Sequence, residues 1–449
     1  MNTPPQKKQA QRKLEARLAV LAREVLAAHK PTVVAITGSV GKTGTKDAIA
    51  SVLKAHGTVR VSEGNYNNEL GLPLAIFGER SPGKKLFGWW GVMRRARALS
   101  RAGADYPKML VLEMGMDHPG DLAGLVAIAQ PTIGVVTNIG ESHLEFFESV
   151  DAIAKEKSTV VSALGSTGVA ILNSDDPRVR AMAALHSGKT ITFGMGPEAS
   201  VRAVDSTITE ELSEGHPQDQ MMHRLQGLGV PLGTSFTLTH AGQSAPVTLQ
   251  RMLGKQQIYA ALAAAAVGIA HGMSIKEIAE ALSDFAAPKG RMNLIPGVKD
   301  SLLIDDSYNS APASAFAALD VLGSLKPAGR RIAVLGDMAE LGTATEPGHQ
   351  EVGQHAAHTC DFAIFVGPKS KFSALAAEQA GLVDERQTHV LDSRQVEAVL
   401  QSVMRAGDVV LVKGSQIMRM ERVVKALMAE PERASELLVR QSEGWENNP

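Results

Sequence analysis

The sequence predicts an α/β protein: a P-loop-containing, doubly wound central domain followed by a smaller Rossmann-like C-terminal domain. Three observations predict it. Short apolar runs rich in β-branched residues alternate with longer helical stretches from Thr32 onward. A glycine-rich turn, Thr37-Gly38-Ser39-Val40-Gly41-Lys42-Thr43, follows the first of these runs. A second alternating series begins after Gly290-Arg291-Met292. With 449 residues the chain exceeds what one core ordinarily organises, so more than one domain is expected.

Residues 1–30 read as a basic helical extension. Lys7, Lys8, Arg12 and Lys13 lead into Leu18, Leu21 and Leu26, interleaved with Arg17, Arg23 and Glu24. That is the pattern of an amphipathic helix, not the continuous apolar segment of a leader peptide. The central domain spans 31–294. Its runs Val33-Val34-Ala35-Ile36, Met109-Leu110-Val111-Leu112, Ile133-Gly134-Val135-Val136 and Val169-Ala170-Ile171-Leu172 are continuous, as in strands covered on both faces. Between about 197 and 249 the character changes. Glu210, Glu211, Glu214 and His216-Pro217-Gln218 precede the alternating Ser235-Phe236-Thr237-Leu238-Thr239. This predicts a polar loop and a small antiparallel β element laid on the main domain. Helices are expected over about 257–271 and 275–285. The C-terminal domain, 295–430, carries runs at 302–304, 332–335, 362–366, 389–391 and 409–412, each followed by a helical stretch. The polar tail, 431–449, is expected to fray.

Composition narrows the class. Hydrophobic residues make up 44% and charged residues 21%, ordinary for a soluble globular protein. The formal net charge of −1 provides no whole-chain field to recruit nucleic acid or an anionic membrane. No stretch reaches the ~18 apolar residues of a membrane span. The single cysteine, Cys360, excludes an intramolecular disulfide framework and suits a reducing cytoplasm. Cys360 follows Ala356 and Ala357 and precedes the run at Phe362, so it reads as a packing residue. The localisation expected is cytoplasmic.

The strongest local signal is the turn around Gly38, Ser39, Val40, Gly41, Lys42 and Thr43, with Gly44 next in the helix it opens. Glycines let backbone N–H groups face phosphates, and the helix N-terminus adds its positive end. Lys42 would reach the β- and γ-phosphates of ATP, and the Thr43 hydroxyl would ligate Mg²⁺. The usual first glycine of such loops is replaced by Ile36. Glu113 closes the strand at 109–112, and His143 follows the strand at 133–136, within Thr137-Asn138-Ile139-Gly140-Glu141-Ser142-His143. Doubly wound sheets place ligands at such strand ends, so both residues are candidate metal ligands beside the Lys42 loop.

Four further segments carry a resemblance. Gly64-Asn65-Tyr66-Asn67-Asn68, Asp305-Asp306-Ser307-Tyr308-Asn309, Gly336-Asp337-Met338-Ala339-Glu340-Leu341-Gly342 and Lys413-Gly414-Ser415 occur in that order, with His349 and Gly353 after the third. From about Thr32 to about Leu427 the chain resembles the Mur ligase family. Within it, the likeness is to the branch adding D-alanyl-D-alanine (D-Ala-D-Ala) to a UDP-N-acetylmuramoyl-tripeptide in peptidoglycan precursor synthesis.

The resemblance implies an ATP-dependent ligase that acts through an acyl phosphate, with two Mg²⁺ ions. Lys42, Lys157 and His143 would be catalytic, and Thr43, Glu113, His143 and Lys157 would face metal. Lys157 matches a lysine that becomes carbamylated, although Lys155 lies two residues away and is the alternative. Gln257, Arg291, Asp306 and Asn309 would meet the nucleotide. Asn65, Asn67, Asn68, Lys413 and Ser415 would meet the substrates.

The chain also departs from the family. Only about 30 residues precede the phosphate-loop strand, too few for the family's UDP-sugar-binding domain, so a partner supplying that site is one expectation. Gln256, Gln257 and Ala260 stand where polar residues near adenine are expected, and Gln416 stands where an arginine follows Lys-Gly-Ser. Two rival readings follow from these departures. One is the same chemistry on a different acyl substrate, of the cyanophycin or poly-amino-acid kind. The other is a non-catalytic nucleotide-binding subunit. Finally, Trp89 and Trp90 sit beside Lys84, Lys85, Arg94, Arg95 and Arg97. The favoured reading is a surface helix that packs both tryptophans, against a membrane-touching alternative.

Overall fold

The computed structural model describes residues 9–62, 66–83, 85–101, 103–140, 146–209, 231–286, 288–442 and 445. The chain divides into two compact units. The first comprises 1–205, 236–247 and 256–285; the second comprises 206–235, 248–255 and 286–449. The division after 285 precedes the boundary expected at 294, because Asn293 onward already forms a strand of the second unit's sheet.

The continuous apolar runs become parallel strands. β1 (Thr32–Thr37) lies between β3 (Met109–Glu113) and β4 (Ile133–Val136), with Ile36 opposite Glu113 and Val34 opposite Ile133. With β2 (Val59–Val61), β5 (Val169–Asn173), β6 (Lys189–Gly194), β7 (Val201–Thr209), β8 (Gly233–His240) and β9 (Gln243–Gln250), the sheet order is β2-β3-β1-β4-β5-β6-β7-β8-β9. Pairings from β2 through β7 are parallel. The small β element expected on top of the domain is instead the continuation of this sheet, since β6 pairs with β7. Ala241 and Gly242, at φ 48° and 78°, form the two-residue turn a tight β8–β9 hairpin requires. Glu210, Glu211, Glu214 and His216 fall outside the described residues.

Helix α1 (Gln9–His29) precedes the first strand, and α2 (Lys42–Lys54), α3 (Gly71–Phe77), α4 (Leu86–Leu99), α5 (Asp121–Ile128) and α6 (Val150–Lys157) follow the early strands. α1 is more than an extension. Its Leu18, Leu21, Ala22 and Val25 are buried in the same apolar cluster as Val33, Ala35, Leu110 and Leu112. The first unit therefore depends on α1 for one face of its sheet.

In the second unit the order is β10-β11-β15-β12-β13-β14. The strands are β10 (Asn293–Gly297), β11 (Ser301–Asp306), β12 (Arg331–Gly336), β13 (Phe362–Val366), β14 (Gln387–Val390) and β15 (Val409–Lys413). Every adjacent pair is parallel except β10–β11. Leu302, Ile304, Ala333 and Leu411 enter one apolar cluster, while Leu303, Ile332, Val334, Val410 and Val412 enter another. That alternation is the period of two of a strand covered on both faces. β10 carries Pro296, which a sheet tolerates at its edge, and β10 is the edge. Cys360 is buried, its Sγ directed at the Ala356 carbonyl (3.1 Å), and burial pushes the thiol up to about 12. It is therefore an inert packing group.

The tail departs from expectation. Residues Ala434–Leu437 are helical, and Leu438 is buried among Ile295, Leu303 and Leu427. Arg440 donates to Glu421 Oε2 (3.0 Å) and to the carbonyls of Ser307 (3.3 Å) and Tyr308 (2.5 Å). Arg419 Nε holds the other Glu421 oxygen at 2.6 Å. A fully buried carboxylate and a backbone turn thus anchor a segment whose polarity reads as frayed. Arg440→Ala removes one cation from this buried triad and is expected to cost about 3 kcal/mol. Urea unfolding measures it, and unchanged stability would return the tail to a frayed state.

Candidate active site

The phosphate loop is shaped by what lies beneath it. Gly38 has φ 151°, and a Cβ there would come within 1.9 Å of Thr137 Oγ1. Gly41, at φ 84°, gives the left-handed step that turns the chain into α2. The residues after β4 then pin the loop. Ser39 N–H donates to Asn138 O (3.0 Å) and Val40 N–H to Asn138 Oδ1 (2.8 Å). Thr137 Oγ1 donates to Val40 O at 2.7 Å, and Gly140 N–H to Ser39 Oγ at 2.9 Å. Lys42 Nζ lies along the loop, donating to Gly38 O at 2.6 Å. Gly44 is buried in the first turn of α2.

Glu113 organises the floor of the site. Its carboxylate receives the Thr43 hydroxyl (3.1 Å) on one oxygen and the Asn67 amide (3.1 Å) on the other. Its own N–H donates to Ser62 Oγ at 3.2 Å. Asn67 is held in turn, its carbonyl accepting from Gly115 N–H at 2.9 Å. Asn68 acts locally: its Oδ1 accepts from Gly71 N–H (2.9 Å) and Leu70 N–H (3.2 Å) at the start of α3. Asn65 and His143 lie outside the described residues.

Lys157 ends α6, whose start is capped by Ser149 Oγ accepting from Ala152 N–H at 3.1 Å. Lys157 is only 2% exposed, whereas Lys155 faces solvent. Burial first, and then the positive charge of Lys42, bring the Lys157 ammonium down to about 7. A substantial fraction of neutral amine near neutral pH is the state that can add carbon dioxide. The donor set fits magnesium: Thr43 and Glu113 present hard oxygens 3.1 Å apart, and a carbamate on Lys157 would add another. A bare amine would not.

Asp175 and Tyr259 escaped the sequence reading. Tyr259, on the helix Lys255–Ala270, donates to Asp175 Oδ2 at 2.8 Å. Asp175 also accepts from Met195 N–H (2.6 Å) and Gly196 N–H (3.0 Å), tying the turn after β6 to that helix. Burial and Asp175 push the Tyr259 hydroxyl upward, so it stays protonated as a donor. On the same helix Gln257 and Ala260 are buried and Gln256 is exposed. Ser62 and Asn138 also act here. Asn138 sits inside the motif that leads to His143, which was the available signal; Asp175 had none.

The second unit gathers its motifs at the carboxyl ends of neighbouring strands. Asp306 and Lys413 are register partners in β11 and β15, and Lys413 Nζ meets Asp306 Oδ2 at 2.6 Å. The same ammonium donates to Asn309 O at 3.0 Å. Ser415 Oγ accepts from Ala339 N–H (2.7 Å) and donates to Ser310 O (3.4 Å), linking three motif loops. Lys413 and Ser415 are buried, so their observed contacts are internal. Arg291 stacks over Tyr308 at 4.4 Å. Asp305 is buried, which raises its carboxyl to about 6. His349 Nε2 accepts from Met338 N–H (3.0 Å), so its Nδ1 carries the proton toward Thr345 O (2.6 Å) and fixes the Gly336–Gly342 turn. Gly353 permits the next helix to approach: a Cβ there would lie 2.1 Å from Ser373 O.

The Lys157 shift has a pH signature. The unfolded lysine keeps its proton to about pH 10.5, while the folded one releases it near pH 7. Between those values the unfolded chain binds more protons, so stability climbs with pH. Lys157→Met is expected to remove that climb above pH 7 in urea titrations of the metal-free, CO₂-depleted protein. An identical pH slope in both proteins would show that Lys157 titrates normally.

Comparison with known proteins agrees with this geometry. Residues 36–87 and 92–268 match the Mur ligase middle domain, and residues 290–416 match the Mur ligase glutamate ligase domain. The UDP-N-acetylmuramoyl-tripeptide–D-alanyl-D-alanine ligase of Mycobacterium tuberculosis is 33% identical over 92% of this chain and 76% of its own length. The Bacillus subtilis enzyme of the same name is 30% identical over 92% and 79%. The crystal structure of MurF ligase from Thermotoga maritima in complex with ADP superposes with a TM-score of 0.73 at 25% identity. That match covers 96% of this chain and 88% of the other. A phosphate loop braced on Asn138, a strand-end carboxylate shared by Thr43 and Asn67, and these likenesses lead to one conclusion: the chain belongs to the Mur ligase family.

Proposed function

We propose that the chain joins D-Ala-D-Ala to UDP-N-acetylmuramoyl-tripeptide with ATP, the reaction named for its relatives, in the cytoplasm during peptidoglycan precursor synthesis. The carrying observation is the convergence of Thr43 and Asn67 on Glu113 beside the phosphate loop. The phosphate loop and the start of α2 hold the phosphates, and Lys42 offsets their charge as the acyl carboxylate attacks the γ-phosphorus, the β,γ-phosphate bond breaks and ADP leaves. The acyl phosphate formed is then attacked by the amine, and inorganic phosphate leaves. Magnesium, held by Thr43, Glu113 and a Lys157 carbamate together with phosphate oxygens, would supply further charge neutralisation. His143 would join that set. Asn67 orients Glu113 and places it for the acyl end of the substrate.

In the second unit, Asp306, Asn309 and Arg291 are read as the nucleotide-facing side, with Lys413 clamping Asp306 and the Asn309 carbonyl in place. Gln257 is read as lying near the base. The half-exposed Gln416 favours a second reading, the same chemistry on another acyl substrate, because glutamine grips a carboxylate without charge. A partner that holds the UDP-sugar end is compatible with either reading.

ADP release with Mg²⁺-ATP, D-Ala-D-Ala and UDP-N-acetylmuramoyl-tripeptide, each omitted in turn, tests the assignment. Release should require both partners and fall roughly 10²–10³-fold in Lys42→Ala. Release with other acids but not with the tripeptide would transfer the assignment to the second reading. Lys157 carbamylation is tested by ¹³C-bicarbonate labelling: a carbamate resonance is expected that Lys157→Arg abolishes. A resonance that persists in that variant would place the modification elsewhere.

A further inference from the structure

The segment around α4 has no role in the ligase reading. Trp89, Val92 and Ala96 are buried against the first unit, and the Trp89 indole donates to Gly83 O at 2.9 Å. The opposite side behaves differently. Phe87 is 93% exposed and Trp90 61% exposed, although both belong to a well-anchored helix. One turn apart, they head a stripe that continues through Arg94 and Arg97, and Arg101 follows two residues past the helix end, all solvent-facing. Arg94 lies over the Trp90 ring at 5.7 Å. No aspartate or glutamate occurs between Arg80 and Ala104, in a chain whose net charge is −1. Within the region Arg95 is engaged by Glu79, on a different side of the helix from the stripe. The match to the Mur ligase middle domain is interrupted at residues 88–91, so Trp90 lies in the break and Phe87 is the last residue matched before it.

We infer that the Phe87–Trp90–Arg94–Arg97 face of α4, together with Arg101 just past its end, is a docking surface for an anionic lipid bilayer. The chemistry matches an interface on each count. Two aromatic rings project from one turn and can enter the headgroup region, where an amphipathic indole is favoured. Arginines along the same stripe lie level with acidic headgroups and draw the protein to them. The rings stand out from the surface, which suits a deformable bilayer better than a folded protein partner. A local run of positive charge without acidic residues, on a nearly neutral chain, gives orientation without a whole-chain field for polyanions. The face would bring a soluble ligase to a membrane surface reversibly, since two rings and a few charges fall far short of an anchor.

Co-sedimentation of the full chain with phosphatidylglycerol-containing vesicles, against pure phosphatidylcholine, tests this at low and high salt. Binding to anionic vesicles at low salt, weakened by salt, is expected. Phe87→Ser with Trp90→Ser should lower the bound fraction at least about tenfold through lost apolar burial, while leaving the thermal midpoint unchanged. Arg94→Glu with Arg97→Glu should abolish the preference for anionic lipid. Wild-type protein that stays in the supernatant would overturn the inference, as would equal sedimentation of the variants. Light scattering gives a further outcome: a dimer that the aromatic variant dissociates would mean that a second copy covers this face.

Discussion

A buried carboxylate at the end of a central strand is the constraint on which the first unit's chemistry depends. Taking Glu113 out of water is costly unless each oxygen finds a donor. The fold provides Thr43 from α2 and Asn67 from the segment before α3. Those two donors come from opposite sides of β3, so satisfying one buried charge fixes two loops relative to one strand. The parallel register carries this further, because Ile36 pairs with Glu113 and so sets the phosphate loop against the same strand end. Asn138 does the equivalent from β4, bracing the loop through both its backbone carbonyl and its side chain. The result is a phosphate loop and a carboxylate whose relative positions come from sheet register.

The second unit reaches its motif cluster by the same logic with a different pair. Asp306 and Lys413 sit opposite one another at the ends of β11 and β15, and the ion pair is largely removed from water. Such a pair contributes modestly to stability but strongly to position, since either partner alone would be an uncompensated buried charge. Lys413 directs a second donor to the Asn309 carbonyl, and Arg440 grips the carbonyls of Ser307 and Tyr308. The turn from Asp305 to Asn309 is therefore held along its length by cations from two other segments.

How much of this was legible follows from the range of each signal. The phosphate loop and the core strands were readable because strand, glycine turn and helix are contiguous, and double-sided burial leaves unbroken apolar runs. Glu113 and Asn67 were readable as candidates through their motifs. Their mutual hydrogen bond was not, because it joins residues 46 positions apart. The Asp175–Tyr259 bond spans 84 positions and carries no local pattern at all. β10 was missed because Pro296 argues against a strand until its edge position is known. The tail was misread for a related reason. Arg440 and Glu421 look like solvated charges until they are seen to neutralise each other in the interior. Trp89 and Trp90 read as one packed unit, yet adjacent helix positions point in different directions, and only Trp89 reaches the core.

Lys157 shows why an apparent flaw belongs in this site. An ammonium buried near Lys42 suffers both desolvation and like-charge repulsion, which is why its proton is held so weakly. Left as an amine, the residue would be a destabilising feature at neutral pH with nothing to ligate. On the proposed reading, carbamylation would reverse the like-charge term, while the buried anion would rely on Lys42 and the metal to offset its desolvation. The neutral amine, favoured by burial, is the form that adds CO₂, and the product is an anion whose interaction with Lys42 becomes attractive. The exposed Lys155 has no comparable burial to drive the same conversion. On the proposed reading, the strain that the fold accepts in the unmodified chain is relieved by forming the metal-binding group itself. That couples the local stability of α6's last turn to assembly of the catalytic centre.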